Sequence, residues 1–317
     1  MVTISPETIW ITGARGFIGR HLSRELSTPE NHVCGLGHGI WPEQQAADWG
    51  LRHWINGDVV PGNLELLERI SGAPDYVFHL AGGASVGAAV ANPREDFFRT
   101  VATTMELLEW LRLRAPACRL IVVSSAAVYG AGHSDAISEA RVANPFSPYG
   151  HHKFVMEQLC RSYATSYGTR VLVARLFSVY GQFLQKQLLW DLCTKLNSGA
   201  DTLELGGSGN ELRDWIDVRD VVRALASVRD LASDAMPILN VGTGISTSVR
   251  EVAALVCDAW PSSVAVKFNG NARVGDPFSL LADWSCLRSH GFEWQIPVET
   301  GVRDYVEWYR LQSGAKS

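Results

Sequence analysis

Tyr149 and Lys153 stand four residues apart in the run Ser147-Pro148-Tyr149-Gly150-His151-His152-Lys153. On a helix that spacing puts them on one face, about one turn apart. Ser147 is placed to cap such a helix, and Pro148 to fill its first position. Tyr149 then lies in the first turn, where the helix dipole favours an anion, and Lys153 adds a cation. Both lower the cost of a phenolate, so the phenol could exchange a proton at neutral pH. Earlier in the chain a strand ends in Ser124-Ser125. A serine hydroxyl there could hold a substrate oxygen and share the proton. Alone, a Tyr-x-x-x-Lys pair describes any solvated helical face; joined to the serines it is far more specific.

The second chemical signal is Gly13-Ala14-Arg15-Gly16-Phe17-Ile18-Gly19, between an apolar run and a helical pattern. Glycines there let the backbone turn sharply and approach a pyrophosphate seated on the helix N-terminus. With 29 glycines in the chain, the pattern gains its weight from its place after the first strand. Dinucleotide sites for NAD usually carry an acid about 20 residues on, at the end of the second strand. Here that end reads Leu36-Gly37-His38-Gly39, without an acid. Arg15 and His38 could serve a 2′-phosphate, although His38 is equally well read as an ordinary loop residue. NADP(H) is therefore favoured and NAD(H) possible. Asp58 could accept from an adenine amino group or cap the next segment.

These groups need a scaffold. Short apolar runs at 8–12, 33–36, 54–55, 75–80, 120–124 and 170–175 read as strands. Helical spacing appears over 16–26 and 101–113. Apolar strands alternating with helices predict an α/β fold, a Rossmann-type doubly wound parallel sheet. Beyond Gly181 the pattern loosens around the turn-rich 206–210, with helices expected over 218–231, 249–260 (capped by Ser248) and 298–311. The expected division is a cofactor-binding domain over 1–177 and a smaller, interleaved C-terminal substrate-binding lobe over 178–317. Phe97, Phe98, Val101, Met105 and Leu108 fall at helical spacing, either as a helix-pair dimer face or as core. Trp294, Tyr305, Trp308 and Tyr309 read as core.

Composition narrows the function. The 317 residues carry 28 Lys+Arg against 33 Asp+Glu, a net charge of -5, which argues against nucleic-acid binding. A hydrophobic share of 46% supports a large core and excludes disorder. Six scattered cysteines with no C-x-x-C pair point to reduced core residues rather than zinc or disulfides. No metal-ligand spacing accompanies His151 and His152. No signal peptide or membrane span is expected, and the protein reads as cytoplasmic.

The motifs TGARGFIG, FHLAG, VVSSAAVYG, SPYGHHK, RLFSVYG, GGSGNELRDWIDVRDV, LNVGTG and RVGDP occur in that order. Together they resemble the extended short-chain dehydrogenases/reductases, in particular the nucleotide-sugar epimerase/dehydratase/reductase group, over nearly the whole chain. The resemblance implies a bound nicotinamide cofactor, a nucleoside-diphosphate-sugar substrate and a homodimer. It implies a catalytic triad of Ser125, Tyr149 and Lys153. The implied cofactor contacts are Gly13, Gly16 and Gly19 with Phe17 and Ile18, Asp58 at the adenine, and Leu80, Ala81 and Gly82 of the second motif. Arg213 and Arg273 match arginines near the substrate diphosphate. Ser178 falls where the family usually has Asn, which puts that contact in doubt.

Departures from the pattern bear on the reaction. The family's dehydratases place Asp-Glu after the triad hydroxyl, where this chain has Ala126-Ala127. Methyl groups transfer no protons, so 4,6-dehydration is disfavoured. Double epimerase-reductases resembling GDP-fucose synthase use Cys at the position of Ala127, so that reaction is disfavoured too. What remains is reduction of a 4-keto-6-deoxy sugar, or reversible oxidation at C4 with epimerisation. The acid-free end of the second strand tilts the expectation toward an NADPH-dependent reductase. So do Arg99, where sugar epimerases often have Asn, and the similarity of 33–38 to GDP-6-deoxy-mannose reductases. The alternative is a 4-epimerase with tightly bound NAD. A non-catalytic cofactor-binding protein is a remote third, because the triad is complete.

Overall fold

The computed structural model describes residues 6–199, 202–261, 264–271 and 279–314. They form two compact units that interleave along the chain. The first holds the residues up to Gly130, Val142–Leu176 and Val222–Leu239; the second holds Ala131–Arg141, Phe177–Val221 and the chain from Asn240.

The first unit is built on β1 (Glu7–Thr12), β2 (Asn31–Gly37), β3 (His53–Asn56), β4 (Tyr76–His79), β5 (Arg119–Ser125) and β6 (Arg170–Leu176). Its helices are α1 (Phe17–Leu26), α2 (Glu43–Asp48), α3 (Pro61–Ser71), α4 (Val86–Ala91), α5 (Pro93–Phe97), α6 (Thr103–Arg114) and α7 (Pro148–Tyr167). The strands pair in parallel, with Ile9 opposite Val33 on one side of β1 and Tyr76 on the other. From β1 the chain winds outward to β2 and β3, then returns to β4 and winds the other way through β5 and β6. The crevice of such a sheet opens at the reversal, beyond the carboxyl ends of β1 and β4. Gly13 follows β1 there, and Leu80 follows β4.

The strands are nearly continuous apolar runs because both faces are buried. One face packs Trp10, Leu36, Val77, Leu120 and Val173 against Leu64 of α3, Leu107 and Leu111 of α6, and Met156 and Cys160 of α7. The helix expected over 101–113 continues from α5 instead of starting afresh. A π-helical turn, Phe98–Ala102, joins α5 to α6. That extra residue changes which side chains face inward: Val101 and Leu108 are buried, while Phe97, Phe98 and Met105 are exposed.

The second unit contains β7 (Ser178–Tyr180), α8 (Gln187–Asn197), β8 (Thr202–Leu205) and β9 (Leu212–Asp217). After α9 (Val218–Ser227) and β10 (Ile238–Val241), both on the boundary between units, come β11 (Ser246–Ser248), α10 (Val249–Asp258), β12 (Ala265–Phe268), β13 (Ser279–Leu280), α11 (Ser285–Ser289) and α12 (Val298–Ser313). β10 joins the main sheet beside β6, making seven strands. β9 pairs with β7, β11 and β13, and β8 pairs with β12. Ser248 caps α10 in a capping box with Glu251. The Asp214 carboxylate ties this unit together, accepting from Thr243 N at 2.6 Å, Gly244 N at 2.8 Å and Ala282 N at 3.1 Å. Tyr305, Trp308 and Tyr309 are buried, and Trp294 is half-buried, its ring 4.8 Å from Phe292 and 5.4 Å from Trp284.

All six cysteines are free thiols, and Cys34, Cys118, Cys160 and Cys193 are buried. Among the described residues no helix is long and apolar enough to cross a membrane. None of the His, Cys, Asp and Glu side chains described there group in threes fit for a metal.

Candidate active site

The glycine loop has the shape a pyrophosphate needs. Gly13 turns the chain at φ +72°, a conformation that favours glycine. A Cβ there would lie 2.9 Å from Ala81 N and 3.0 Å from the Leu80 carbonyl carbon. Gly13 N donates to Leu36 O at 2.7 Å, which fixes the turn against β2. A Cβ on Gly19 would overlap the Gly13 carbonyl, so α1 packs against the loop only with glycine at that position. Gly16 is the N-cap of α1 and brings no side chain to its N–H groups. The first turn, with Phe17 and Ile18, therefore keeps its donors open to an anion. The loop fits the diphosphate of a dinucleotide.

The outer part of this crevice is of mixed charge. His38 Nε2 lies 2.8 Å from Asp58 Oδ1, both side chains being about two-thirds exposed. Arg15 is exposed and lies against Gly39, just past β2. Leu80, Ala81 and Gly82 are half-buried after β4, and Ala81 N donates to Thr12 Oγ1 at 3.2 Å. Behind them His79 is buried between Thr12 Oγ1 (2.7 Å) and Thr104 Oγ1 (3.0 Å). Burial, then the Lys153 cation, hold the His79 imidazole down at about 3, so it is neutral.

The three residues of the triad converge in the first unit. Ser125 ends β5 and caps the following 3-10 turn (Ala126–Tyr129), its Oγ accepting from Ala127 N at 3.2 Å. Tyr149 lies in the first turn of α7, below the Ser147 cap, which accepts from Gly150 N at 3.1 Å. Gly150 lets this turn approach closely: a Cβ would come 2.6 Å from Ala127 O. The Tyr149 hydroxyl is hydrogen-bonded to Ser125. Lys153 is 4% exposed, donates to Val123 O at 2.9 Å and has its ammonium beside Gly82.

The electrostatics correct the expectation for Tyr149. Burial pushes its phenol above the ordinary value and Asp96 adds to this, while the Ser125 hydrogen bond opposes them. Tyr149 is half-buried, and burial is the leading cause of the rise. The Lys153 ammonium is lowered to about 8 by burial, with Asp96 and then Glu157 opposing. It is mainly charged at pH 7.

Arg99, on the π-helical turn, is 63% exposed and ion-paired with Glu95. In the second unit Ser178 is half-buried opposite Trp215. Arg213, half-buried two residues earlier on β9, lies on the same strand face as Trp215. Its Nη1 donates to Leu212 O at 2.8 Å. Arg273 lies outside the described residues. Between Gly181 and Trp190 the backbone of Phe183 (φ 72°) and Gln187 (φ 68°) is left-handed, a strain that tends to gather at functional segments.

Three features escape a local reading of the chain. Asp96 is buried and its Oδ2 lies 2.6 Å from His152 Nδ1. Glu157, one turn beyond Lys153, is buried against Arg175 (2.6 Å) and accepts from Ser124 Oγ (2.5 Å). The third is the His79 chain. In the sequence the hints are a histidine inside an apolar strand and Glu157, one helical turn after Lys153.

Residues 9–242 match the model of the NAD dependent epimerase/dehydratase family. The UDP-glucose 4-epimerase of Azospirillum brasilense is 29% identical, over 97% of this chain and 93% of that protein. Among solved structures, MoeE5 in complex with UDP-glucuronic acid and NAD is 32% identical, with a TM-score of 0.83 over 96% of this chain and 99% of that one. The UDP-N-acetylglucosamine 4-epimerase from Methanobrevibacter ruminantium M1, in complex with UDP-N-acetylmuramic acid, is 26% identical. Its TM-score is 0.86, over 97% of this chain and 99% of that one. The chain belongs to the NAD dependent epimerase/dehydratase family, the nucleotide-sugar branch of the extended short-chain dehydrogenases/reductases.

Proposed function

We propose that this protein is a 4-epimerase of a nucleoside-diphosphate sugar, working with NAD, and that uridine is the base. A complete Ser125–Tyr149–Lys153 triad followed by Ala126 and Ala127 confines the reading to oxidoreduction at C4, and the similarity to 4-epimerases carries the choice between the two reactions. The groups for one proton exchange are present, and the acids the family uses to expel water are replaced by methyls. Sequence alone leans to the reductase; the epimerase relatives and the NAD in the MoeE5 complex support the alternative. Two of the residues behind the NADPH lean have carboxylate partners, His38 with Asp58 and Arg99 with Glu95. An acid beside His38 disfavours a 2′-phosphate.

The cofactor fits the glycine loop, with Gly13, Gly16, Gly19, Phe17 and Ile18 at its diphosphate, Asp58 at the adenine and Lys153 at the nicotinamide end. Bound there, it supplies reversible acceptance of the C4 hydrogen together with its electron pair. Tyr149 takes the proton of the C4 hydroxyl as the carbonyl forms and gives it back as the alcohol is restored. Ser125 donates to the same oxygen and keeps it within reach of the phenol. Lys153 supplies the positive charge that makes the phenolate accessible despite its burial. Arg213, with Arg273, is the proposed partner of the sugar diphosphate. Substrate and product differ only in configuration at C4, so no net oxidation occurs.

The test is incubation of the purified protein with UDP-glucose, UDP-N-acetylglucosamine and UDP-glucuronic acid without added cofactor. Formation of the C4 epimer, with NAD released on denaturation, is the expected result. NADPH consumption with 4-keto-6-deoxy nucleotide sugars, and no epimer from any hexose, would return the assignment to a reductase.

A further inference from the structure

Asp96 and His152 stand beside the triad, and the reaction above assigns them nothing. Asp96, on α5, is 6% exposed. Its Oδ2 is 2.6 Å from Nδ1 of His152, which lies on α7 three residues after Tyr149 and directly before Lys153. The His152 ring stands edge-on to Phe97, centroids 5.5 Å apart. On its other side the Asp96 carboxylate rests against Gly83, where any Cβ would overlap it. Gly83 N donates to Thr100 Oγ1 of the π-helical turn at 2.8 Å. One carboxylate therefore meets three pieces of the site: the loop after β4, the α5–π junction and the catalytic turn of α7. Single π-helical turns inside helices gather at functional sites.

We propose that Asp96 is a positioning residue for the proton exchange: held by His152, its carboxylate balances the buried ammonium of Lys153 and fixes the catalytic turn of α7 against the Gly82–Gly83 loop. This role rests on the C4 oxidoreduction assigned above. The charges around Lys153 single Asp96 out. Glu157, on the same helix, is committed to the permanent cation of Arg175 on β6. His79 on β4 is neutral. His152 holds the Asp96 carboxylate at 2.6 Å from the catalytic turn itself. Asp96 raises the proton affinity of both Lys153 and Tyr149. It thus favours the charged lysine and adds to the burial that holds the phenol above its ordinary value.

Titration of Tyr149 decides the matter without substrate, by tyrosinate absorbance read as the difference between each protein and its Tyr149→Phe counterpart. In Asp96→Asn the Tyr149 transition is expected to fall by about one pH unit. Both limbs of the pH profile of turnover should fall with it. Asp96→Ser, also neutral and smaller, carries the same expectation should the Asn variant not fold. His152→Gln keeps a donor for Asp96 and should leave the transition close to that of the unmutated protein. An unmoved transition in the Asp96 variants, even with reduced stability, would overturn the proposal. So would an equal fall in His152→Gln, which would place the determinant on the histidine. Failure to find epimerase activity leaves the titration readable, so the two assignments are tested apart.

Discussion

Replacing Lys153 with methionine should abolish turnover and yet stabilise the fold at neutral pH. The lysine is 4% exposed, and burial lowers it from 10.5 to about 8. At about 1.4 kcal/mol per pH unit, burying Lys153 costs the fold about 3 kcal/mol of stability at pH 7 relative to a lysine of ordinary proton affinity. Methionine removes that cost and fills a similar volume, but it leaves Val123 O without its 2.9 Å donor. The lost hydrogen bond costs about 1 kcal/mol. The net gain at pH 7 is about 2 kcal/mol. Its pH dependence is the sharper test. Below pH 8 the lysine is protonated in both folded and unfolded chains, so the penalty is complete and constant. Between pH 8 and 10.5 the unfolded chain keeps a proton that the folded one has lost, so the stability of the unmutated protein rises with pH. The advantage of methionine therefore shrinks across this window and disappears near pH 10. Urea denaturation of both proteins at pH 7 and pH 10 measures it. An advantage equal at the two pH values, or a variant less stable at pH 7, would refute a buried charge held at a cost for function.

Three further changes probe other parts of the site. Tyr149→Phe removes the proton exchanger and should lower turnover by at least about 100-fold while NAD content after purification is unchanged. Glu157→Ala leaves Arg175, 4% exposed, without its ion-pair partner. A loss of about 3–5 kcal/mol is expected, seen as a fall in urea midpoint at unchanged slope. Gly19→Ala places a methyl on the Gly13 carbonyl, and the purified variant should carry little or no NAD, as read by absorbance of the denatured supernatant.

What sequence could reveal follows from how local each feature is. Parallel strands buried on both faces are apolar throughout, so β1, β2, β4, β5 and β6 stand out. The caps at Ser147 and Ser248 are legible because a cap is an interaction over three residues. The glycine loop and the Tyr149–Lys153 spacing are local in the same way. The π-helical turn is different. Its Thr100 faces Gly83, 17 residues away, and no periodicity of the helix announces it. The turn also explains why the stripe from Phe97 to Leu108 divides between surface and core. Asp96 and His152 are 56 residues apart and meet only in the fold. The direction of the Tyr149 shift depends on burial, which spacing does not encode. Arg99 lies among promising neighbours in sequence, but its position on the helix turns it to solvent.

The most direct measurement uses a substrate carrying deuterium at C4 of the sugar. If the hydrogen leaves C4 with its electrons, is held within the site and returns, the epimerised product keeps deuterium at C4 and no solvent hydrogen enters the ring. Mass spectrometry and NMR of the product from UDP-glucuronic acid or UDP-glucose read both quantities. Full retention with inversion is the predicted result. Loss of the label to solvent, or turnover only when NADPH is supplied to a 4-keto sugar, would contradict an epimerase that borrows and returns one hydrogen.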